Sequence, residues 1–546
     1  MKVIIVSILL ALTTLRSAKS ADLVIDREDY ANRLHGFWLG SSIANWTGLP
    51  TENLRAEPPF FTDEDWQMPI GRDGQRVDFV LDDDPWKADD DTDIEYVYQR
   101  AMETAAAYKL TPQEIADAWL EHIGLPLLWV SNLAALGQMQ NGALPPHTSL
   151  PENNPMWEMI DAQLTTEIFG ALAPGRPDIA LDIAHLPIHT TAHLHSAWAA
   201  EFYVIMHALV AVVDPGLTRG EQLVWLADKA RKRLPEWSYL ADMYDFVKAD
   251  FAANPDKDDW ERTRDKLYDR YQRQGAAGYR YQYPWDSGIN FASSMVSLFY
   301  GQGDFKRTIQ IGTLAGWDSD NPTATWGGLL GLLYGEDGLR DEFKGQDFSD
   351  AYLISRTRYN FPQEPDSFQA MARRGLPLID RVVTRGMGGS IRDGNWIIPN
   401  PPSARTKAKA DEHDAQEAAR WVTIEDSDRR WEYQGFHTLK ERWNASGATL
   451  TEGRANCAAT IRFRGSAIRY FAHRSESAGS VRVSLNDETA VTIDLSSRDS
   501  AGDQTLGQYF VNVFERDALS DDEHRLHIRC DASARPKYID MLSVLQ

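Results

Sequence analysis

The chain has 546 residues, 43% hydrophobic and 25% charged, which is an ordinary balance for globular proteins and long enough for two or three domains. Its 80 acidic and 56 basic residues give a formal net charge of −24. That charge argues against a protein that follows nucleic-acid phosphates or binds an anionic membrane surface, so we expect neither partner.

The first twenty residues differ from the rest of the chain. Lys2 precedes an apolar run from Val3 to Leu12, and small residues follow up to Ser20. This pattern is typical of a secretory signal peptide, so we predict a signal peptide at residues 1–20 and a secreted or periplasmic protein. The alternative is a frayed N-terminal helix. The run is short for a membrane span, and we predict no span elsewhere.

A mainly helical pattern extends from about residue 27 to residue 385. Thr111 and Glu114, and again Thr218 and Glu221, have the spacing of a capping box, in which the two side chains satisfy backbone donors reciprocally. These pairs predict two helix starts. The pattern as a whole predicts an all-α domain over residues 21–400.

Two further stretches indicate how these helices pack. Residues 196–213 are apolar nearly all round, as expected for a helix at the centre of a helical domain. Gly327, Gly328 and Gly331 occupy another helical stretch, where glycine normally weakens the helix. We therefore expect the backbone there to pack closely against a neighbour.

An acidic cluster precedes one of the amphipathic helices. Asp89, Asp90, Asp91 and Asp93 stand just before apolar residues at helical spacing, so they mark a helix start. One acid there caps the helix and meets the positive end of its dipole. Three in succession repel one another unless water or a cation relieves the charge.

A second oxygen-rich set follows much later in the chain. Asp318, Asp320 and Asn321 stand just before the glycine-rich helix. Carboxylate and amide oxygens from two helix starts can jointly hold a hard cation such as Mg²⁺. A single Asp-x-Asp pair is usually a solvated turn or cap, so the prediction needs both clusters.

Three segments, in order, resemble the ADP-ribosylglycohydrolase family. They are a Gly-rich segment ending in Pro-x-Glu, an acidic segment like the family's Thr-Asp-Asp-Thr motif, and a segment like its Gly-Asp-Thr-Asp-Thr motif; their residues are 36–52, 89–93 and 316–331. The similarity extends over about residues 27–400. It implies an all-α fold with a site for two Mg²⁺ ions in a central cleft.

The resemblance also implies roles for individual residues. Three acids of the first cluster and three residues of the second match metal ligands of the family: Asp89, Asp90, Asp91, Asp318, Asp320 and Asn321. Glu52 and Asp318 are the expected catalytic acids. The expected substrate contacts are His193, Trp46 and Trp317, although core packing is an equal alternative for the two tryptophans.

The chain departs from the family pattern at two of these positions and at Asn45. Asp89 replaces a threonine and adds negative charge beside the expected metals. Asn321 replaces a hydroxyl residue, although its carbonyl oxygen can still bind Mg²⁺. Asn45 stands where many relatives have aspartate. Metal binding stays plausible with these changes, and the substrate becomes the open question.

The character of the sequence changes after residue 400. Residues 401–418 are polar and predict a linker. Residues 419–546 contain short runs that alternate apolar with polar residues, which predict an all-β sandwich. These runs resemble jelly-roll modules of the galactose-binding-like type, which implies glycan binding; a structural role is the alternative. Cys457 and Cys530 either form a disulfide or stay as buried thiols.

The expected function is hydrolysis of a glycosidic bond at a ribosyl, ADP-ribosyl or related furanosyl carbon, with two Mg²⁺ ions. The substrate is either a small molecule or glycan, or an ADP-ribosylated protein. Export and the β module favour an extracellular glycan furanoside as the alternative. A non-catalytic glycan-binding relative is a further alternative.

Overall fold

The computed structural model describes residues 22–124, 128–354, 360–362, 364–399, 418, 420–440, 445–496 and 508–546. The predicted signal peptide, and the predicted linker apart from Ala418, lie outside the described residues. The described chain has a helical part up to residue 399 and a β-rich part from residue 420 onward, so the predicted fold class is confirmed.

The α-helices have the following bounds in chain order: α1 Arg27–Gly48, α2 Asp90–Thr104, α3 Pro112–His122, α4 Val130–Gln140, α5 Asp161–Thr165, α6 Ile168–Ala171, α7 Pro177–Thr191, α8 Leu194–Leu209, α9 Arg219–Arg231, α10 Tyr239–Ala253, α11 Glu261–Leu267, α12 Ser287–Gly301, α13 Phe305–Leu314, α14 Asp320–Glu342 and α15 Phe368–Arg381.

The β-strands have the following bounds: β1 Leu23–Asp26, β2 Trp86–Lys87, β3 Ala351–Leu353, β4 Asp366–Ser367, β5 Ser390–Arg392, β6 Asn395–Ile398, β7 Trp421–Glu425, β8 Trp431–Lys440, β9 Thr449–Arg464, β10 Ala467–Arg474, β11 Ser480–Leu485, β12 Val491–Asp494, β13 Gln508–Arg516, β14 Glu523–Cys530, β15 Lys537–Ile539 and β16 Met541–Leu545.

Both predicted capping boxes are present. Thr111 caps α3 and Thr218 caps α9, and in each case the side chains of the threonine and of the glutamate three residues later bond the other residue's backbone N–H. Helix α8 is buried along nearly all of its length, as predicted. Among the described residues, Leu194–Val212 has the length and hydropathy of a membrane span, and 83% of its most apolar window is buried inside the protein.

Two small sheets hold the helical part together. Strand β1 pairs with β6, so the first described residues meet the last strand of the helical part. Strand β2 pairs in parallel with β3, and the backbone N–H of Ala88 donates to the carbonyl of Leu353 at 3.1 Å. This second pairing fixes the chain one residue before the acidic start of α2.

The β-rich part consists of two antiparallel sheets. One has the strand order β13-β10-β16-β7, and the other has the order β12-β11-β14-β9-β15, with β8 also paired to β9. A separate apolar core lies within this sandwich. Cys457 on β9 and Cys530 on β14 form a disulfide, with their Cα atoms 5.0 Å apart, which resolves the alternative left open by the sequence.

The sandwich packs directly on the helical part. Phe471, Phe510 and Met541 come from sandwich strands but belong to the hydrophobic core of the helical part, and each is at most 1% exposed. A Cβ atom added to Gly137 on α4 would lie 2.6 Å from the carbonyl oxygen of Tyr509 on β13. The two parts therefore share a close-packed interface.

Candidate active site

Helices α1 and α14 pack with their backbones in contact. A Cβ atom on Gly331 would lie 1.9 Å from the carbonyl oxygen of Gly36, and one on Gly327 would lie 2.3 Å from that of Gly40. Only glycine permits this approach, which confirms the close packing predicted from the glycines. The consequence for the site is that the C-terminal end of α1 lies against the N-terminal end of α14.

The loops that extend from these helices are joined by backbone hydrogen bonds. The N–H of Asn53 donates to the carbonyl of Trp317 at 2.8 Å, and the N–H of Trp317 donates to the carbonyl of Arg55 at 3.1 Å. Gly316 has a φ of 98°, a conformation suited to glycine, and allows the sharp turn before Asp318. Glu52 and Asp318 therefore lie on two loop segments that are hydrogen-bonded to each other.

The N-terminal end of α2 completes the acidic site. Asp89 is the N-cap residue of this helix, so one acid of the cluster caps the helix as the sequence predicted. The amide of Asn45 donates to Asp91 Oδ2 at 3.0 Å, and the amide of Asn321 donates to Asp91 Oδ1 at 3.3 Å. The side-chain amide of Gln163 in turn donates to the side-chain oxygen Oδ1 of Asn321 at 3.2 Å. Asn321 thus orients Asp91, and its role as a metal ligand stays a prediction.

The two acidic clusters meet in space. Glu52, Asp318 and Asp320 offer carboxylate oxygens within 4.8 Å of one another, and Asp89, Asp91 and Asp320 do the same. Asp320 belongs to both triads. The triads lie at a cavity of about 500 Å³, a size typical of small-molecule sites. The residues that line it are Glu52, Asn53, Leu54, Arg72, Asp89, Asp90, Asp91, Trp129, Val130, Ile160, Asp161, Leu164, Trp285, Asp318 and Asp320.

Burial and mutual repulsion make these carboxylates hard to ionise in the protein alone. Burial raises the pKa of Asp318 and of Asp320 well above the usual range, and the charge of Glu52 raises both further. Burial, followed by the charge of Asp90, also raises the pKa of Asp91. A nearby cation would reverse these shifts, because it favours the charged form.

The donor set fits a hard divalent cation. All the converging ligand atoms are carboxylate oxygens, which Mg²⁺ and Ca²⁺ prefer. Oδ1 of Asp320 is buried and has no hydrogen-bond donor among the described residues. A buried acceptor without a donor is costly, and a bound cation would satisfy it.

The predicted substrate contacts lie outside the residues that line the cavity. His193 is the N-cap residue of α8 and packs edge-on against Trp157. Trp46 donates its indole N–H to the carbonyl of Lys87 at 3.0 Å. Trp317 is fully buried against Phe60 and donates to Gln272 at 2.7 Å. The structure therefore places all three in packing or capping positions, and their contact with substrate stays a prediction.

Several cavity residues were not predicted from the sequence. Arg72 forms a 2.8 Å ion pair with Glu52. Asp161 accepts hydrogen bonds from Ser131 Oγ at 2.5 Å and from the backbone N–H of Asn132 at 3.1 Å, and burial raises its pKa to about 7.

Two tryptophans, Trp129 and Trp285, also line this cavity. The loop segments that carry Trp129, Trp285 and Arg72 have no periodic pattern that would single them out. The apolar residues on either side of Asp161 were the one signal available, because an acid that becomes buried among them needs a partner.

Comparison with protein families matches residues 26–355 to the family described as ADP-ribosylglycohydrolase. The chain belongs to this family. The match runs from the last residue of β1 to just after β3, and so includes both acidic clusters and Glu52. Membership supports a function of the glycosyl-hydrolase type, and the clustered carboxylates of this ADP-ribosylglycohydrolase domain are compatible with metal binding.

Solved structures resemble the two parts of the chain separately. An "ADP-ribosylglycohydrolase-related protein complex" matches at 14% identity with a TM-score of 0.40, covering 64% of this chain and 98% of that one. A family 35 carbohydrate-binding module from Clostridium thermocellum matches at 10% identity with a TM-score of 0.18, covering 22% and 95%. A family 6 carbohydrate-binding module matches at 12% identity with a TM-score of 0.16, covering 23% and 95%. A search of curated proteins gave no match.

Proposed function

We propose that this protein is a Mg²⁺-dependent hydrolase that cleaves a glycosidic bond at a ribosyl, ADP-ribosyl or related furanosyl anomeric carbon. The observation that carries the proposal is the pair of carboxylate triads sharing Asp320 at the cavity. Two triads joined by one residue suit a pair of hard cations. The residues that would hold them are Glu52, Asp89, Asp91, Asp318 and Asp320.

When bound, Mg²⁺ would lower the pKa of a coordinated water and neutralise negative charge in the site. The carboxylate of Asp318 accepts the proton of the attacking water. Glu52 is held by Arg72 at 2.8 Å and by the amide of Asn53 at 2.9 Å, which fixes its carboxylate at the cavity. Asp161 has a pKa of about 7 and can hold a proton for the leaving group at neutral pH.

Export is part of the same proposal. The chain begins with the pattern of a signal peptide, and Cys457 and Cys530 form a disulfide. Disulfides persist in oxidising compartments outside the cytoplasm. These observations favour an extracellular furanoside as the second candidate substrate, and the resemblance of the β-sandwich to carbohydrate-binding modules motivates the inclusion of glycans among the substrates to be tested.

The double variant Asp318→Asn plus Asp320→Asn tests the proposal. We expect it to lose Mg²⁺-dependent release of ADP-ribose from modified protein, or of free sugar from furanoside glycans, whichever the wild type shows. We also expect it to unfold at a higher temperature than the wild type in EDTA, since two buried repelling charges are gone. Added Mg²⁺ should stabilise the wild type and not the variant.

The matched control is Asp341→Asn. Asp341 lies on the same helix, and 79% of its side chain is accessible. We expect it to behave as the wild type in every measurement. Turnover that survives in the double variant would reject the proposed chemistry. Calorimetry that detects no Mg²⁺ binding to the wild type would instead favour a non-catalytic glycan-binding protein.

A further inference from the structure

Trp285 differs from the other aromatic residues of the helical part. It is half-buried, it lines the cavity beside the acidic site, and its indole N–H is buried without a hydrogen-bond partner among the described residues. A buried donor without an acceptor costs about 1–3 kcal/mol. The indole N–H groups of the fully buried Trp38 and Trp260 are likewise without a partner among the described residues, so it is the position of Trp285 in the cavity wall that sets it apart from them.

Neighbouring backbone holds Trp285 at a fixed place relative to the acidic site. The amide of Asn290 donates to the carbonyl of Pro284 at 2.7 Å, while its side-chain oxygen accepts from the N–H of Asp318 at 3.2 Å. On the other side, the N–H of Ile160 donates to the carbonyl of Trp285 at 3.1 Å. One asparagine thus joins the tryptophan loop to a predicted catalytic acid.

A residue of the β-sandwich holds the tyrosine on which Trp285 stacks. Trp285 is stacked on Tyr283, with the ring planes 4° apart and the centroids separated by 5.4 Å. The hydroxyl of Tyr283 donates to Glu425 on β7 of the sandwich, and Ser446 Oγ donates to the same carboxylate at 2.7 Å. A side chain of the second domain therefore fixes the aromatic pair that forms part of the cavity wall.

We propose that Trp285 is a substrate-contacting residue that packs against a sugar ring from the cavity wall, and that Glu425 positions it through Tyr283. Sugar rings present C–H groups that pack on indole, whereas the buried indole N–H is closed to a ligand in the cavity. This inference rests on the proposed function, because it assigns a contact for the sugar at the same site. It also gives the sandwich a part in the active site that needs no glycan-binding surface of its own.

The test uses the full chain with Mg²⁺ and three probes: ADP-ribose, D-ribose and L-arabinose. Calorimetry gives the affinity of each probe, and kinetics give KM and kcat for any glycoside that the wild type cleaves. For Trp285→Ala we expect affinity to fall about tenfold, because the ring contact is lost. For Trp285→Phe we expect a smaller fall, because a smaller ring remains at the same place. KM should rise with kcat nearly unchanged.

Two variants on the sandwich test the positioning role. Glu425→Ala should raise KM in the same direction as Trp285→Ala, while Glu425→Gln should keep the wild-type value, because glutamine still accepts from Tyr283. A merely structural role would lower stability without this split between KM and kcat. Trp225→Phe, on α9 and away from the cavity, is the matched control and should leave affinity unchanged.

Unchanged affinity and KM in both Trp285 variants would overturn the inference, as would a wild type that binds none of the three probes. The two proposals fail separately. If the wild type cleaves a glycoside and Trp285→Ala leaves KM unchanged, only this inference falls. If Trp285→Ala weakens sugar binding but the wild type cleaves no glycoside, the hydrolase proposal falls and the ring contact stands.

Discussion

Replacing Gly331 with alanine should disturb both the stability and the metal affinity of the protein. The new Cβ would lie 1.9 Å from the carbonyl oxygen of Gly36. Carbon–oxygen contacts settle near about 3.3 Å, so α1 and α14 must move apart by more than about 1 Å. Over-packing costs about 1–3 kcal/mol, at the upper end here because the clash is with backbone. Alanine favours the helix by about 1 kcal/mol, leaving a net loss of about 2 kcal/mol.

Urea denaturation of the full chain in EDTA measures the stability. Gly375→Ala is the matched control, because its new Cβ in α15 would meet only Leu34 Cδ1 at 3.1 Å, the end of a flexible side chain. We expect that control to change stability by less than about 1 kcal/mol. A Gly331→Ala protein as stable as the wild type would refute the packing argument.

The same variant connects packing to the site. Glu52 follows the end of α1, and Asp320 begins α14. Separating the two helices therefore separates two carboxylates that share a triad. We expect weaker Mg²⁺ binding by calorimetry in Gly331→Ala and unchanged binding in Gly375→Ala. Equal Mg²⁺ affinity in the two variants would show that the triad does not depend on this contact.

Three other predictions follow from single contacts. Asn45→Ala should weaken Mg²⁺ binding about tenfold by calorimetry, because it removes the donor that orients Asp91; unchanged affinity would contradict this. Replacing Cys457 and Cys530 with serine should lower stability by about 2–5 kcal/mol, since the disulfide closes a long loop; unfolding by urea with and without reductant tests it. Asp161 has a pKa of about 7 in the fold and about 3.9 when unfolded, so the folded state holds an extra proton between these values and stability falls as pH rises through that window. Asp161→Asn should therefore gain more stability over the wild type at pH 8 than at pH 5, and an equal gain at both would contradict the assignment.

Local signals in the sequence were sufficient for the elements. Thr111 with Glu114 predicted the start of α3, and Asp89 predicted the start of α2, because a cap is specified by a side chain and the backbone within three residues of it. The encounter of Asp91 with Asp320 was predicted through the family resemblance. Charge alone indicated only that each cluster needed a partner.

The rest of the site depends on contacts that no local pattern encodes. The sequence marks Asn45 only as a departure from the family pattern and predicts Asn321 as a metal ligand. In the structure the side-chain amides of both residues donate to Asp91. Their amides donate to one carboxylate and so relieve its charge. Arg72 balances Glu52 from a loop whose path is set by tertiary contacts.

The sandwich illustrates why domain boundaries read from sequence do not reveal whether domains are independent. Strand β10 is buried along almost its whole length, although it keeps the two-residue alternation of a strand. Tyr470 and Ala472 enter the core of the sandwich, while Phe471 between them enters the core of the helical part. The face of β10 that carries Phe471 also carries Arg469 and His473, so the alternation of its sequence did not reveal a second covering layer. The helical part supplies that layer. The same interface places Glu425 within hydrogen-bond distance of Tyr283. Removing the sandwich would therefore expose the core of the helical part and also remove the hydrogen bond that supports Tyr283 and Trp285 at the cavity.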